Sequence, residues 1–289
     1  MSMFENKESG FISAIDLKRT PAKTLYFIIM IFAFLLILIC CLPPLWVLLS
    51  SLKDTKEFFS VPATLFPKSF HPEKLVNVWK EIKFTKYFIN SIIVVAGSVG
   101  CALVFNSLIA YAVSVLKPKG SQLIYSLILI SMMIPATISI MTFFKSVVDL
   151  KMMNSFVPLW FLPGANAFFV ILYKQYFDTI PRSYIEAAKM DGCSKFGIYT
   201  SIIMPMSKAV NAVIIIFSLN TAWSDFLIPY LILRNDEKRT VVVKLFNMST
   251  FPHDYIIVAM CFTIIPPIIL FLIFQKSILS GIGAGGIKG

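Results

Sequence analysis

The 289-residue chain is short of charge: only 14% of its residues are Asp, Glu, Lys or Arg. A soluble domain carries roughly 25%. That shortage, with 57% apolar residues and a mean hydropathy of +0.81, excludes an ordinary soluble protein and points to a membrane chain. Histidine is scarcer still, with two residues, His71 and His253, far apart. They cannot build a Ser/His/Asp set or an H-E-x-x-H zinc site. Five cysteines show no C-x-x-C spacing: Cys40, Cys41, Cys101 and Cys261 sit in apolar runs, and Cys193 in a polar loop. Such cysteines behave as small hydrophobes, so neither a metal centre nor a disulfide framework is expected. No paired carboxylates lie within the apolar runs. No G-x-x-x-x-G-K-[ST] phosphate loop occurs, so any ATP that drives this protein must be held by another chain. Gly281-Ile-Gly283-Ala-Gly285-Gly286 matches G-x-G-x-x-G only formally, because it follows an apolar span and not a strand.

What is present is a succession of apolar runs, each near the ~20 residues a bilayer requires. They lie at about 24–49, 87–116, 122–144, 156–173, 210–232 and 255–274. The first is too long for a signal-peptide core and lacks a small-residue cleavage site, so it is expected to stay. The fold expected is all-α and polytopic: six membrane helices over 24–275, a polar segment 1–23 and a tail 276–289, with both termini on one side. Net charge is +11. Basic residues flanking spans meet lipid headgroups, and no basic, aromatic surface is left over for nucleic acid. The 26 Lys and Arg residues divide evenly between the two sides, so charge does not orient the chain.

Several runs carry breakers: Pro43-Pro44, Pro135, Pro158 with Pro163-Gly164, and Pro266-Pro267. Irregular backbone at membrane depth survives only where neighbouring helices or a water-filled cavity satisfy it. Between the runs, Leu75, Val78, Trp79 and Ile82 recur at helical spacing, which predicts an amphipathic helix lying on the outer membrane surface. Gly97, Ser98, Cys101 and Ala102 form a small-residue face suited to close helix packing.

The charged interruption at 178–208 holds Glu186-Ala187-Ala188-Lys189-Met190-Asp191-Gly192, with Ile202-Ile203-Met204-Pro205 ten residues beyond the glycine. Pro181 ends the preceding span, Ser183 is the expected N-cap, and Glu186 completes a capping box. Asp191-Gly192 reads as the stop, because glycine accepts the left-handed conformation of a helix C-terminus. The pattern predicts a short helix, a sharp bend and a second helix from about Ser194. It resembles the E-A-A, three residues, G, nine residues, I-x-L-P loop of the permease subunits of bacterial ABC importers, with Met204 in place of leucine.

Among the six runs the lone charged residue is Asp225, in Asn220-Thr221-Ala222-Trp223-Ser224-Asp225. At ~1.5 Å per residue from Lys208 it lies roughly 26 Å along a helix, near the edge of a ~30 Å hydrocarbon layer, and Asn220 lies at roughly 18 Å. Asp225 can equally sit among lipid headgroups; amide, hydroxyl and indole groups together suit a polyhydroxyl ligand, so Asn220, Trp223 and Asp225 are candidates for a substrate path. The resemblance also takes in Asn90-Ser91, Met133-Ile134-Pro135, residues 222–226 with Pro229, and the Gly285-Gly286 ending. These are similar to the carbohydrate-uptake, MalG-like branch of the family, although Ser224 stands where members commonly have asparagine.

The resemblance implies an ABC type I importer permease, not an enzyme. Its loop 178–208 and both termini would be cytoplasmic in a bacterial plasma membrane. Glu186, Ala187, Ala188, Asp191, Gly192 and Pro205 would form the coupling helix that meets an ATPase. A second homologous permease, two ATP-binding-cassette subunits holding ATP and Mg, an extracytoplasmic binding protein, membrane lipid and a carbohydrate, expected to be an oligosaccharide, complete the implied system. A polyol or glycerol phosphate is the alternative cargo. A membrane-embedded enzyme or sensor is the rival class, and the catalytic constellation it needs is missing from the sequence.

Overall fold

The computed structural model describes residues 20–285, with side chains described over 24–275 apart from residue 136. The expected terminal segments 1–23 and 276–289 fall largely outside that range. Among the described residues there are helices and turns but no strand. The chain divides into two compact units, one ending at Pro72 and one beginning at Glu73.

The first unit is dominated by α1 (Thr20–Ser50), 31 residues and apolar on every face. Three to four turns of such a helix already exceed what a soluble surface tolerates; a helix apolar all round belongs in lipid or a large core. The most apolar stretch of its span Thr24–Ser50 has no buried residue, and burial begins only at Ser50. Pro43 and Pro44 lie inside it, so the break expected there is not made. A short α2 (Thr55–Phe58) follows, with Asp54 accepting from the Lys56 N–H at 3.1 Å. Glu57 accepts from the Lys68 N–H and the Thr64 hydroxyl, both at 2.9 Å. The Lys68 amide bond chiefly holds the Glu57 carboxyl below the usual carboxylate range, assisted by Thr64 and by Lys53.

The second unit begins with α3 (Pro72–Glu81). Its apolar face is turned onto protein: Trp79 lies 4.8 Å from both Phe84 and Phe262, and Val78 is fully buried. The amphipathic pattern was therefore legible, while the surface it covers is another helix pair and not an open membrane face. That pair is α4 (Phe84–Tyr111), which continues through a π turn at Ala112–Leu116, and α15 (His253–Gly285). α15 passes through Pro266 and Pro267 without a break.

The run 122–144 is divided. α5 (Ser121–Ser131) and α6 (Ala136–Asp149) are separated by residues 132–135. Pro135 has no N–H to continue the ladder and biases Ile134 away from helical geometry. The next run is divided too, into α7 (Val157–Gly164) and α8 (Ala167–Asp178), meeting at 44°. Then come α9 (Arg182–Met190), α10 (Lys195–Ile198), a π turn at Tyr199–Ile203, α11 (Met204–Met206) and α12 (Lys208–Ser224). α13 (Leu227–Ile232) and α14 (Val241–Phe246) lead into α15. Among the described residues three helices are long and apolar enough to cross a membrane, Thr24–Ser50, Phe84–Leu116 and His253–Gln275, or up to five if each bent pair is one span.

α4 is the axis on which α7, α8 and α12 pack. Its small-residue face works as the spacing suggested. A β-carbon on Gly97 would lie 2.3 Å from the Trp160 indole nitrogen, so glycine there is what lets the indole lie flat against α4. The Trp160 indole donates to the Ile93 carbonyl at 3.2 Å, and the Ser98 hydroxyl donates to the Leu159 carbonyl at 3.3 Å.

Candidate functional site

α9 is a nine-residue amphipathic helix with one face down. Ile185 and Ala188, three residues apart, are buried in a core with Tyr111, Tyr173, Phe177 and Ile198. Glu186, Ala187, Lys189 and Asp191 are exposed, as are Tyr184, Met190 and Phe196, the last two at 89% and 65%. Two expectations change here. Pro181, not Ser183, stands at the N-cap, and no side chain caps the helix. Ser183 already lies inside the first turn, where its hydroxyl cannot act as the box requires, so the Ser183–Glu186 capping box is not formed. Ala188 faces the subunit's own core, and the small residue on the outward face is Ala187.

The end of α9 follows its sequence closely. Asp191 is the C-cap and Gly192 has φ of +78°, a left-handed conformation. The Cys193 N–H donates to the Ala188 carbonyl at 2.9 Å and the Gly192 N–H to the Lys189 carbonyl at 3.1 Å. This 6→1 and 5→2 pair is a Schellman motif. Nothing lies within 4 Å of where a Gly192 β-carbon would be, so the demand for glycine is conformational, not steric. Ser194 then caps α10, accepting from the Gly197 N–H at 3.0 Å.

Beyond α10 the chain turns through 80° between Lys195–Met206 and Lys208–Ser224, with Pro205 in the first turn of α11 at the elbow. Bends of this kind orphan carbonyls, and tyrosine hydroxyls supply donors along the elbow. Tyr111 donates to the Lys195 carbonyl at 2.8 Å and Tyr176 to the Met206 carbonyl at 2.9 Å. Tyr173 donates to Asn211 at 2.7 Å, and Tyr199 shares a 2.7 Å hydrogen bond with Ser107. Ser114 and Lys174 both donate to Asp178 at 2.6 Å, joining the end of α4 to the end of α8. A small cavity of about 120 Å³ lies under α9 between these groups and Arg182, Glu186 and Lys189. The elbow is thus anchored rigidly to the α4–α8 core while one face of α9 stays uncovered.

The candidates for a substrate path are not brought together. Trp223 is buried; its indole donates to the Thr263 carbonyl at 3.1 Å and its ring meets Phe88 edge-on at 5.5 Å. Asn220 is exposed beside Pro267 and Phe271. Asp225, at the C-cap of α12, accepts from the Ile228 N–H at 3.4 Å and lines a cavity of about 330 Å³. Asn220 and Trp223, three residues apart, lie on one side of α12 toward α15, where Trp223 is buried and Asn220 exposed, while Asp225 stands past the helix end and lines a different space.

Sequence reasoning missed Asn106. It is fully buried, and its amide donates at 2.8 Å to the Ala102 and Pro163 carbonyls while its oxygen accepts from the Asn166 N–H at 3.1 Å. Two backbone groups released by the α7–α8 break are satisfied by this one side chain, as irregular backbone at membrane depth demands. Asn166 in turn caps α8, accepting from the Phe168 and Phe169 N–H groups. The available signal was an asparagine deep in a largely apolar run, far from the Asn90 at its start.

Long apolar helices and two bent helix pairs, carrying an anchored helix–bend–helix with an uncovered face, are the architecture of a membrane-spanning chain. The comparisons make this specific: the chain belongs to the binding-protein-dependent transport system inner membrane component family, whose model matches residues 102–283. It is 35% identical to the arabinooligosaccharides transport system permease protein AraQ of Bacillus subtilis, over 94% of this chain and all of that one. It is 28% identical to the diacetylchitobiose uptake system permease protein NgcG of Streptomyces coelicolor, over 86% and 84% of the two chains. The sn-glycerol-3-phosphate permease UgpE of Escherichia coli is 26% identical over 79% and 85%. In fold it matches, at a TM-score of 0.80 and 22% identity over 93% of this chain and 99% of the other, a chain of a bacterial ABC transporter involved in importing the acidic polysaccharide alginate.

Proposed function

We propose that the chain is one of two permease subunits of an ATP-driven importer for a carbohydrate, an oligosaccharide by preference, in the plasma membrane of a bacterium. The observation that carries the reading is the 182–206 element, a helix and elbow fastened to the core from beneath with Tyr184, Ala187 and Met190 turned outward. In this reading α9 is the coupling helix. Its outward face sits on one of two ATPase subunits, which hold ATP and Mg, and Glu186, Asp191, Gly192 and Pro205 set its position and direction. The fastened elbow carries movement of that ATPase into α12 and α4. Both termini and loop 178–208 are then cytoplasmic, and a second permease, lipid and an extracytoplasmic binding protein complete the assembly. The names of the arabinooligosaccharide and diacetylchitobiose relatives support a saccharide cargo.

Two measurements test this. Single cysteines in a cysteine-free chain should label from outside at Asp236 and Lys68, and at Lys189 only after permeabilisation; outside labelling at Lys189 inverts the arrangement. The purified importer with its binding protein should show ATPase activity stimulated by an oligosaccharide. Stimulation by sn-glycerol 3-phosphate alone would replace the cargo and leave the subunit assignment in place.

A further inference from the structure

Two helix breaks face one cavity. Residues 165–166 separate α7 from α8, and residues 225–226 separate α12 from α13; Pro163, Asn166, Thr221 and Asp225 all line the same space of about 330 Å³. Small-ligand sites run from ~300 to ~1,000 Å³, so this one takes a single sugar ring and not an oligosaccharide. Discontinuous helices at such positions are where transporters place binding groups.

Asp225 makes the space more than a packing gap. Its carboxylate is half-buried in the break between the end of α12 and the start of α13, accepts from the Ile228 N–H at a long 3.4 Å, and forms no ion pair among the described residues. A carboxylate so placed is stabilised by donors. The Asn166 oxygen is spent on capping α8, which leaves its Nδ2 amide as a donor. Thr221 is exposed, and the Ser218 hydroxyl at the cavity wall is fully buried with no hydrogen-bond partner. Leu159 and Phe169 supply an apolar wall. Donors, one charged acceptor and an apolar surface are the requirements of a pyranose or furanose ring. A lone metal ion or a proton needs no cavity of this size.

We propose that this subunit itself holds one ring of its saccharide in this cavity, with Asp225 and Thr221 hydrogen-bonding ring hydroxyls. The proposal rests on the carbohydrate reading above, and it sets Asp225 apart from Asn220 and Trp223, which face elsewhere.

The test uses the whole importer with its binding protein in proteoliposomes and three probes: arabinotriose, diacetylchitobiose and maltotriose. For whichever is taken up, Asp225→Asn, which keeps an acceptor for Ile228, should raise the KM of uptake roughly 10- to 100-fold, and Thr221→Val roughly 3- to 10-fold, with smaller changes in kcat. A Thr221→Cys chain, otherwise free of cysteine, should react with a methanethiosulfonate reagent and be protected by the transported sugar during turnover. Unchanged KM in both variants, or thiol reaction indifferent to sugar, overturns the cavity site while leaving the importer reading intact. If Asp225→Asn prevents assembly, Thr221→Val and the protection measurement decide. If the wild-type importer takes up none of the three sugars, the carbohydrate reading fails and the site with it.

Discussion

The two ends of α4 are finished in opposite ways. At the Phe84 end, residues 235–241 are tied down by polar side chains. Asn90 donates at 3.0 Å to the Glu237 and Arg239 carbonyls, Ser91 accepts from the Val241 N–H at 2.9 Å, and the Tyr87 hydroxyl donates to Asp236 at 2.5 Å. Lys86 pairs with Glu237, Arg239 with Asp236, and Lys244 lies 4.8 Å over the Tyr87 ring. At the Tyr111 end the fastening is beneath: tyrosine hydroxyls hold the elbow, and α9 leaves Tyr184 and Met190 exposed among the described residues. The first end satisfies itself. The second leaves apolar side chains uncovered, as the proposed contact with another subunit requires.

That contrast is broken most severely at Gly192. Replacement by valine forces a β-branched residue into a left-handed conformation at a cost of roughly 1–2 kcal/mol, with no steric clash to add. The α9 end should be redirected: uptake should fall at least tenfold while the chain stays in the membrane, and Gly192→Asn, which tolerates this conformation, should retain most of it. Paired uptake and membrane-abundance assays check this.

Asn106→Leu should come next. It leaves the Pro163 carbonyl and the Asn166 N–H without their partner, each worth about 1–3 kcal/mol. A lowered unfolding temperature of the purified complex is expected; an unchanged one would mean the α7–α8 junction holds without it.

A neighbouring pair sharpens the comparison further. Ala188→Trp overpacks the core at about 1–3 kcal/mol and should lower the amount of folded chain. Ala187→Trp should leave that amount alone and release the ATPase from co-purification. The same outcome from both would erase the distinction between the two faces of α9.

The smallest effect belongs to the self-satisfied end and is a pH effect. Burial pushes the Asp236 carboxyl up, but the Tyr87 hydrogen bond and the cations Lys244, Arg239 and Lys86 outweigh it and hold the group below 3.8. A lowered folded value means the stabilisation is complete above 3.8 and is lost as pH falls through the depressed value. The protection factors against hydrogen exchange over 235–241 should therefore be constant at neutral pH and fall only below 3.8, and Asp236→Asn should remove the transition.

Much of the α9 region was legible because its determinants are local. A glycine after Asp191, a serine before Lys195 and a proline at 135 act on their own few residues of backbone, and each does what its chemistry dictates. The direction of Ala188 was not, because a nine-residue helix carries two small residues side by side and only the packing of Ile185 chooses between them. Asn106 joins backbone groups 57 and 60 positions away, and Asn90 reaches 147 and 149. No spacing rule contains such partners. The elbow tyrosines are illegible for the same reason, since tyrosine in a membrane chain reads first as an interfacial anchor.

One measurement bears on the claim that the uncovered face of α9 is the surface the ATPase holds. A photo-crosslinking amino acid replaces Met190, which is 89% exposed, in the assembled importer, and a second chain carries it at Phe246, 61% exposed at the opposite end. The account predicts a covalent adduct with the ATPase subunit from position 190 and none from 246. An ATPase adduct from position 246, with none from 190, would contradict it.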